Sequence, residues 1–182
     1  MSRTLLAVRL ALVLPFFLAA CQPDADASST AAPSTAARST AAAPTATPPA
    51  ASPPADAPLV TVYKSPTCGC CSTWATYMER EGFRVETVDT DRMPAVRDSL
   101  GVPGDLSACH TATVGGYTVE GHVPADAVRR LLAEAPDARG LAVPGMPIGS
   151  PGMEQGDRRQ PYDVLLIDDA GEAAVFAHVP GA

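Results

Sequence analysis

From residue 59 onward, apolar and polar positions follow two rhythms. "LVTVYKS" (59–65) is β-branched and aromatic and predicts a strand. "CCSTWATYMEREGF" (70–83) places Trp74, Tyr77 and Met78 at i, i+3 and i+4, one face of a helix, with Gly82 available to end it. "FRVETVDT" (83–90) alternates Phe83, Val85 and, less cleanly, Val88 with polar residues and predicts a second strand. "PAVRDSLGV" (94–102) opens on Pro94 and predicts a short helix. "TATVGGYTVEG" (111–121) gives two short strands about Gly115-Gly116. "PADAVRRLLAE" (124–134) lines up Val128, Leu131 and Leu132 as a helical face. The Pro/Gly-rich stretch 140–161 shows neither rhythm and is too long to be idle in a compact domain. "YDVLLID" and "EAAVFAHV" then predict a hairpin about "DAG". There is no internal repeat.

The order strand, helix, strand, helix, hairpin, helix is that of an α/β, thioredoxin-like single domain. It is expected over residues 58–182, with a Gly/Pro-rich Met loop and an extra C-terminal β-hairpin. The preceding segments have other roles. Residues 1–20 carry Arg3 and Arg9, then an apolar run from Leu10 to Leu18 too short to span ~30 Å of hydrocarbon. They read as an export signal. Its end, "LAAC", resembles a lipobox, which implies cleavage before Cys21 and lipid on that cysteine. The plainer alternative is an ordinary signal peptide with Cys21 incidental. Residues 21–57, mostly Ala, Pro, Ser and Thr, lack the apolar side chains that offset chain entropy and are expected to be a disordered tether. These features place the protein in the cell envelope, lipid-anchored and facing the periplasm, on the outer membrane if the cell is Gram-negative.

Charge narrows the partners. The formal net charge is −7, and −9 once Arg3 and Arg9 leave with the signal. An acidic domain with one lysine is a poor binder of nucleic acid. Exported proteins usually oxidise their cysteines. Besides Cys21, four remain, and three of them crowd into "TCGCC" as Cys68, Cys70 and Cys71. Cys68 and Cys71 form a C-x-x-C at a strand-to-helix junction, where unpaired helix amides favour a thiolate. That alone permits thiol–disulfide chemistry, for which Cys70 is a complication. A disulfide between adjacent Cys70 and Cys71 would be strained.

Metal binding gives the third thiol a use. Gly69 lets the backbone turn tightly, and three soft donors favour Cu(I) or zinc over magnesium or calcium. Bridging thiolates suit several copper ions better than one zinc. Cys109, in "LSACHTATV", precedes the hairpin, and in a thioredoxin-like domain that loop faces the C-x-x-C. It is expected as a ligand or redox partner; the alternative is a small buried hydrophobe. His110 joins it as a candidate by proximity. His122 ranks below it, and His178 reads as structural. Met146 and Met153 sit in "PGMPIGSPGME" with no apolar period to explain them, so thioether donation is a use for both. Met93 fits either role, and Met78 belongs to the core with Trp74.

Three blocks, "YKSPTCGCCSTW", "GVPGDLSACHTATVGGYTVEGHVPADAVRRLL" and "GLAVPGMPIGSPGME", in this order and spacing, resemble the exported CopG-like family of small metal-binding proteins associated with copper and silver resistance. The resemblance covers about residues 58–178. It implies a thioredoxin-like fold and copper bound in a polynuclear, thiolate-bridged site. Residue by residue, it carries over to Cys68, Cys70, Cys71, Cys109, His110, Met146 and Met153. The chain departs from the family pattern outside the domain, in the lipobox and tether.

The expected function is therefore that of an envelope copper-binding protein in copper tolerance. It takes up Cu(I), with redox of the site as a coupled step, and its partners are copper ions and envelope copper-handling proteins. Two other readings stand beside it: a thiol–disulfide oxidoreductase using Cys68 and Cys71 with Cys109, and a structural zinc site of the four cysteines. The loop bearing Met146 and Met153 favours copper over either.

Overall fold

The structure is a computed structural model, and it describes residues 53–181. The expected signal (1–20), Cys21 and the tether as far as residue 52 lie outside the described residues. The described part is mixed α/β. Seven strands form one sheet in the order β2-β1-β3-β4-β5-β6-β7, and three helices accompany it. They follow the chain as β1 (Leu59–Lys64), α1 (Gly69–Arg80), β2 (Arg84–Asp89), α2 (Met93–Leu100), β3 (His110–Val114), β4 (Tyr117–Glu120), α3 (Ala125–Glu134), β5 (Gly140–Ala142), β6 (Tyr162–Ile167) and β7 (Ala173–Val179).

β1 runs parallel to β2 and antiparallel to β3. Its alternating pattern buries Val60, Val62 and Lys64. Val60 pairs with Val114 and Val62 with Ala112, so these four side chains share one sheet face. Trp74 and Met78 of α1 and Val128 and Leu131 of α3 close over that face in the main core, as the helical spacing predicts. The Trp74 indole N–H donates to the Val123 carbonyl at 2.9 Å. The Tyr77 hydroxyl accepts from the Ala125 amide at 3.0 Å, satisfying one of the unpaired donors that open α3. Leu132 is half-buried at the margin and Val88 is exposed, because β2 is an edge strand. The opposite face carries a smaller cluster of Leu106, Ala142 and Ile167.

The elements differ from the sequence expectation mainly at three places. α1 stops at Arg80, where the Glu81 amide bonds back to Tyr77 and Gly82, at φ 90°, turns the chain toward β2. α2 starts one residue early, at Met93, with Pro94 inside its first turn, and Met93 is buried. The third difference is the largest. The stretch 140–161 contains a strand, β5, parallel to β4 and antiparallel to β6. Three residues are too few to show a period. β5 makes the C-terminal hairpin a continuation of the main sheet.

Gly140 explains why this strand begins with glycine. Its α-carbon faces the backbone of Thr118 so closely that a Cβ would collide with the Thr118 carbonyl. Gly140→Ala is therefore expected to cost about 1–3 kcal/mol through overpacking, against a backbone that cannot rotate away. Urea unfolding followed by the fluorescence of Trp74, the single tryptophan, measures this; an unchanged midpoint would mean the β4–β5 contact can relax.

Candidate metal centre

The site forms at one end of the sheet, beyond the last pair of β1 and β3. The β1–β3 ladder finishes with Lys64 opposite His110. The chain leaving β1 and the chain entering β3 are therefore neighbours. The first continues through a turn, in which the Cys68 amide bonds the Ser65 carbonyl, into α1. Cys68 caps that helix, its sulfur accepting from the Cys71 amide at 3.3 Å. The second is the loop 107–109, which follows a single 3-10 turn, Gly104–Leu106.

Cys68 and Cys71 are joined as a disulfide, with their Cα atoms 5.4 Å apart. Cys70 and Cys109 are free thiols, both half-buried. The Cys70 sulfur lies 3.6 Å from that of Cys68 and 3.8 Å from that of Cys109. All four sulfurs lie within 4.8 Å of one another. Cys70 is thus the sulfur between the C-x-x-C and the downstream cysteine, a position open to a bridging thiolate.

A second group shares Cys109. The sulfur of Cys109 and the ring nitrogens of His110 and His122 also lie within 4.8 Å of one another. Cys109 Sγ is 3.0 Å from His122 Nε2 and 3.4 Å from His110 Nδ1. His122 Nδ1 is 2.7 Å from the Pro151 carbonyl, which can only accept. The proton therefore sits on Nδ1 and the Nε2 lone pair faces Cys109. This is the arrangement by which metal-binding histidines are commonly oriented. The His110 ring packs 4.5 Å from Trp74 and edge-on to His122 at 5.0 Å. His110 Nε2 is buried without a hydrogen-bond partner among the described residues.

Burial keeps these groups uncharged. It lowers the His110 pKa to about 3, with His122 and Arg97 adding to the shift. It also lowers the His122 pKa, against the raising effect of the Pro151 hydrogen bond. It pushes the Cys109 thiol up to about 12, with the neighbouring Cys70 as the next cause. A neutral pocket of sulfur and imidazole suits a soft monovalent cation, whose charge the thiolates offset once their protons leave.

The sequence candidates fare differently. Cys68, Cys70, Cys71, Cys109 and His110 are brought together. His122, ranked lower by sequence, joins them; its signal was "EGHVP" at the far end of the same hairpin. Pro151 and Gly152 bring the Gly/Pro loop against the site. An added Cβ at Gly152, φ 83°, would meet the Cys70 carbonyl at 3.0 Å and the Trp74 amide at 2.9 Å. Met153 follows directly and is half-buried, its amide bonded to Ser150. Met146 is 53 % exposed. Met78 is in the core, and exposed His178 pairs with Asp163 at 2.7 Å and belongs to neither group.

The family described as "Protein of unknown function, DUF411" matches residues 106–153, the segment bearing Cys109, both clustered histidines and Met146 and Met153. The solved structure named "Copper resistance protein copG- Form 2" is 43% identical. The match covers 69% of this chain and 100% of that one, with a TM-score of 0.66. The chain belongs to the CopG-like copper-resistance family. A second family structure, "Copper resistance protein copG- Form 1", is 45% identical over 68% of this chain and 98% of its own, with a TM-score of 0.65. No curated protein matches. The family assignment and the sulfur cluster agree in chemistry, since closely spaced thiols are the donors that copper prefers.

The raised thiol has a measurable consequence. At pH 8 a thiol with a pKa of about 12 holds roughly a thousandfold less thiolate than an ordinary cysteine. With the Cys68–Cys71 disulfide intact, iodoacetamide should label Cys109 slower by about that factor than in the urea-unfolded chain. The rate should climb as pH rises toward the folded value. Peptide mass spectrometry reads it directly, and labelling at the unfolded rate at pH 8 would show that burial does not control this thiol.

Proposed function

We propose that this protein binds Cu(I) at a polynuclear site built on Cys68, Cys70, Cys71 and Cys109, as part of copper tolerance in the cell envelope. The carrying observation is that four sulfurs from two remote segments lie within 4.8 Å of one another. His110 and His122 supply nitrogen donors beside Cys109, and Met153 and Met146 supply thioether donors from the Gly/Pro loop. The sheet order β2-β1-β3-β4, with β3 antiparallel to β1, supports the thioredoxin-like reading of the core. An export signal and lipid on Cys21 would place the domain at a membrane surface, within reach of envelope copper-handling proteins.

Redox enters through the disulfide. A disulfide sulfur is a poor ligand, so four-sulfur binding needs the Cys68–Cys71 bond reduced. Two electrons and two protons convert it to two thiols, and Cu(I) then displaces thiol protons. A cellular thiol reductant is the co-reactant required. The same disulfide, at the start of a helix, favours a second reading: thiol–disulfide exchange on protein substrates, with Cys109 as the resolving thiol.

Anaerobic Cu(I) titration of the full chain in detergent, pre-reduced and read by native mass spectrometry, separates these readings. We expect several copper ions per chain, fewer in Cys70→Ser, and fewer again when the disulfide is left intact. Unchanged stoichiometry in Cys70→Ser counts against the copper site. Turnover of a protein disulfide by metal-free protein, indifferent to Cys70→Ser, would select the oxidoreductase. One zinc per chain that resists displacement by copper would select a structural zinc site.

A further inference from the structure

Behind the loop that carries Cys109 lies a buried carboxylate that touches no candidate metal donor. Glu120, at the end of β4, is 0 % exposed. One of its oxygens accepts from the Ala108 amide at 2.7 Å and from Arg97 Nε at 2.9 Å. The other accepts from the Thr111 hydroxyl at 2.6 Å. Arg97, from α2, also donates through Nη2 to the Ala108 carbonyl. Both backbone polar groups of Ala108 are therefore held by one ion pair, immediately before Cys109, and Thr111 is held two residues after it. Gly121, at φ 74°, lets the next stretch pass close; a Cβ there would meet Ala108 Cβ at 2.6 Å and the Val143 carbonyl at 2.5 Å.

A buried ion pair of this kind seldom stabilises a fold more than apolar residues of the same volume would. Two of its hydrogen bonds fix the peptide groups of Ala108 in the irregular loop 107–109, and a third reaches Thr111 near the start of β3. We propose that Glu120 and Arg97 are positioning residues for copper binding. They hold the Ala108 peptide groups so that the Cys109 sulfur stays within reach of Cys70 and His122, without either residue contacting the metal. This rests on the copper-binding reading above. It extends that reading to a second layer of the site contributed by α2 and β4, and it commits Cys109, rather than the C-x-C-C turn, as the ligand under control.

Groups that orient metal ligands typically change affinity by about 10–100-fold when removed. In the reduced full chain, Glu120→Gln should weaken Cu(I) binding, measured by competition with a colorimetric chelator, by about 10-fold or more. The same substitution should have no further effect in a Cys109→Ser background. Equal losses in both backgrounds would mean that Glu120 supports the fold in general, and would overturn the proposal. Arg97→Lys keeps the charge but loses the two-armed contact, so it provides a milder test should Glu120→Gln fail to fold. It should reproduce the loss, again only when Cys109 is present.

A metal-free measurement separates this idea from the copper reading. In the oxidised protein without copper, both variants should speed iodoacetamide labelling of Cys109 several-fold while leaving that of Cys70 unchanged. Faster Cys109 labelling in a protein that binds no copper would sink the copper reading and keep the clamp. Unaltered labelling in both variants would sink the clamp, whatever the wild-type chain does with copper.

Discussion

The alignment of β3 with β1 is the constraint on which the site depends. Five pairs, from Val60–Val114 to Lys64–His110, run in antiparallel register. The register is decided by burial, since Val60, Val62, Ala112 and Val114 must all enter the same core. A slip of one residue would turn them out of this core to the other face of the sheet. Because the ladder ends at Lys64 and His110, the turn bearing Cys68, Cys70 and Cys71 meets the loop bearing Cys109. Hydrophobic burial in the sheet thus brings polar, reactive atoms together at its end. The sulfurs themselves contribute little to that choice.

The site is also a balance of charge. The Cys109 thiol and the His110 and His122 imidazoles are driven toward their neutral forms by burial, while Arg97 and Glu120 stay close by as a satisfied ion pair. A monovalent cation held by these groups would replace thiol protons, so the protein would not have to bury a net charge it did not already hold. The His122 ring is oriented from the opposite side by Pro151, so the Gly/Pro loop takes part in the site through a backbone carbonyl as well as through any side chain it offers. That loop can lie so close to α1 because Gly152 has no side chain to strike the Cys70 carbonyl.

Much of the fold was legible in the chain. The alternation of β1 and the i, i+3, i+4 faces of α1 and α3 are local records of which side chains meet the core, and Trp74, Met78, Val128 and Leu131 occupy it as their spacing predicts. β5 was not legible, because three residues carry no period and its strand character comes from partners on either side. The buried role of Glu120 was equally hidden. In "YTVEG" it reads as one more polar position of an alternating strand, and only α2 crossing the other face supplies the arginine that makes its burial tolerable.

For the site, residue chemistry was available from the sequence alone. The crowding of Cys68, Cys70 and Cys71 with Gly69, and the presence of Cys109 and His110 further on, determined that soft-metal or thiol chemistry was open to this protein. Proximity was not available. Tertiary structure decided that Cys70 stands between Cys68 and Cys109, that His122 faces Cys109 with its free nitrogen, and that Met146 faces solvent. The physical reason is that donor type is a property of each side chain, whereas a shared ligand sphere depends on sheet register and buried packing between segments about forty residues apart.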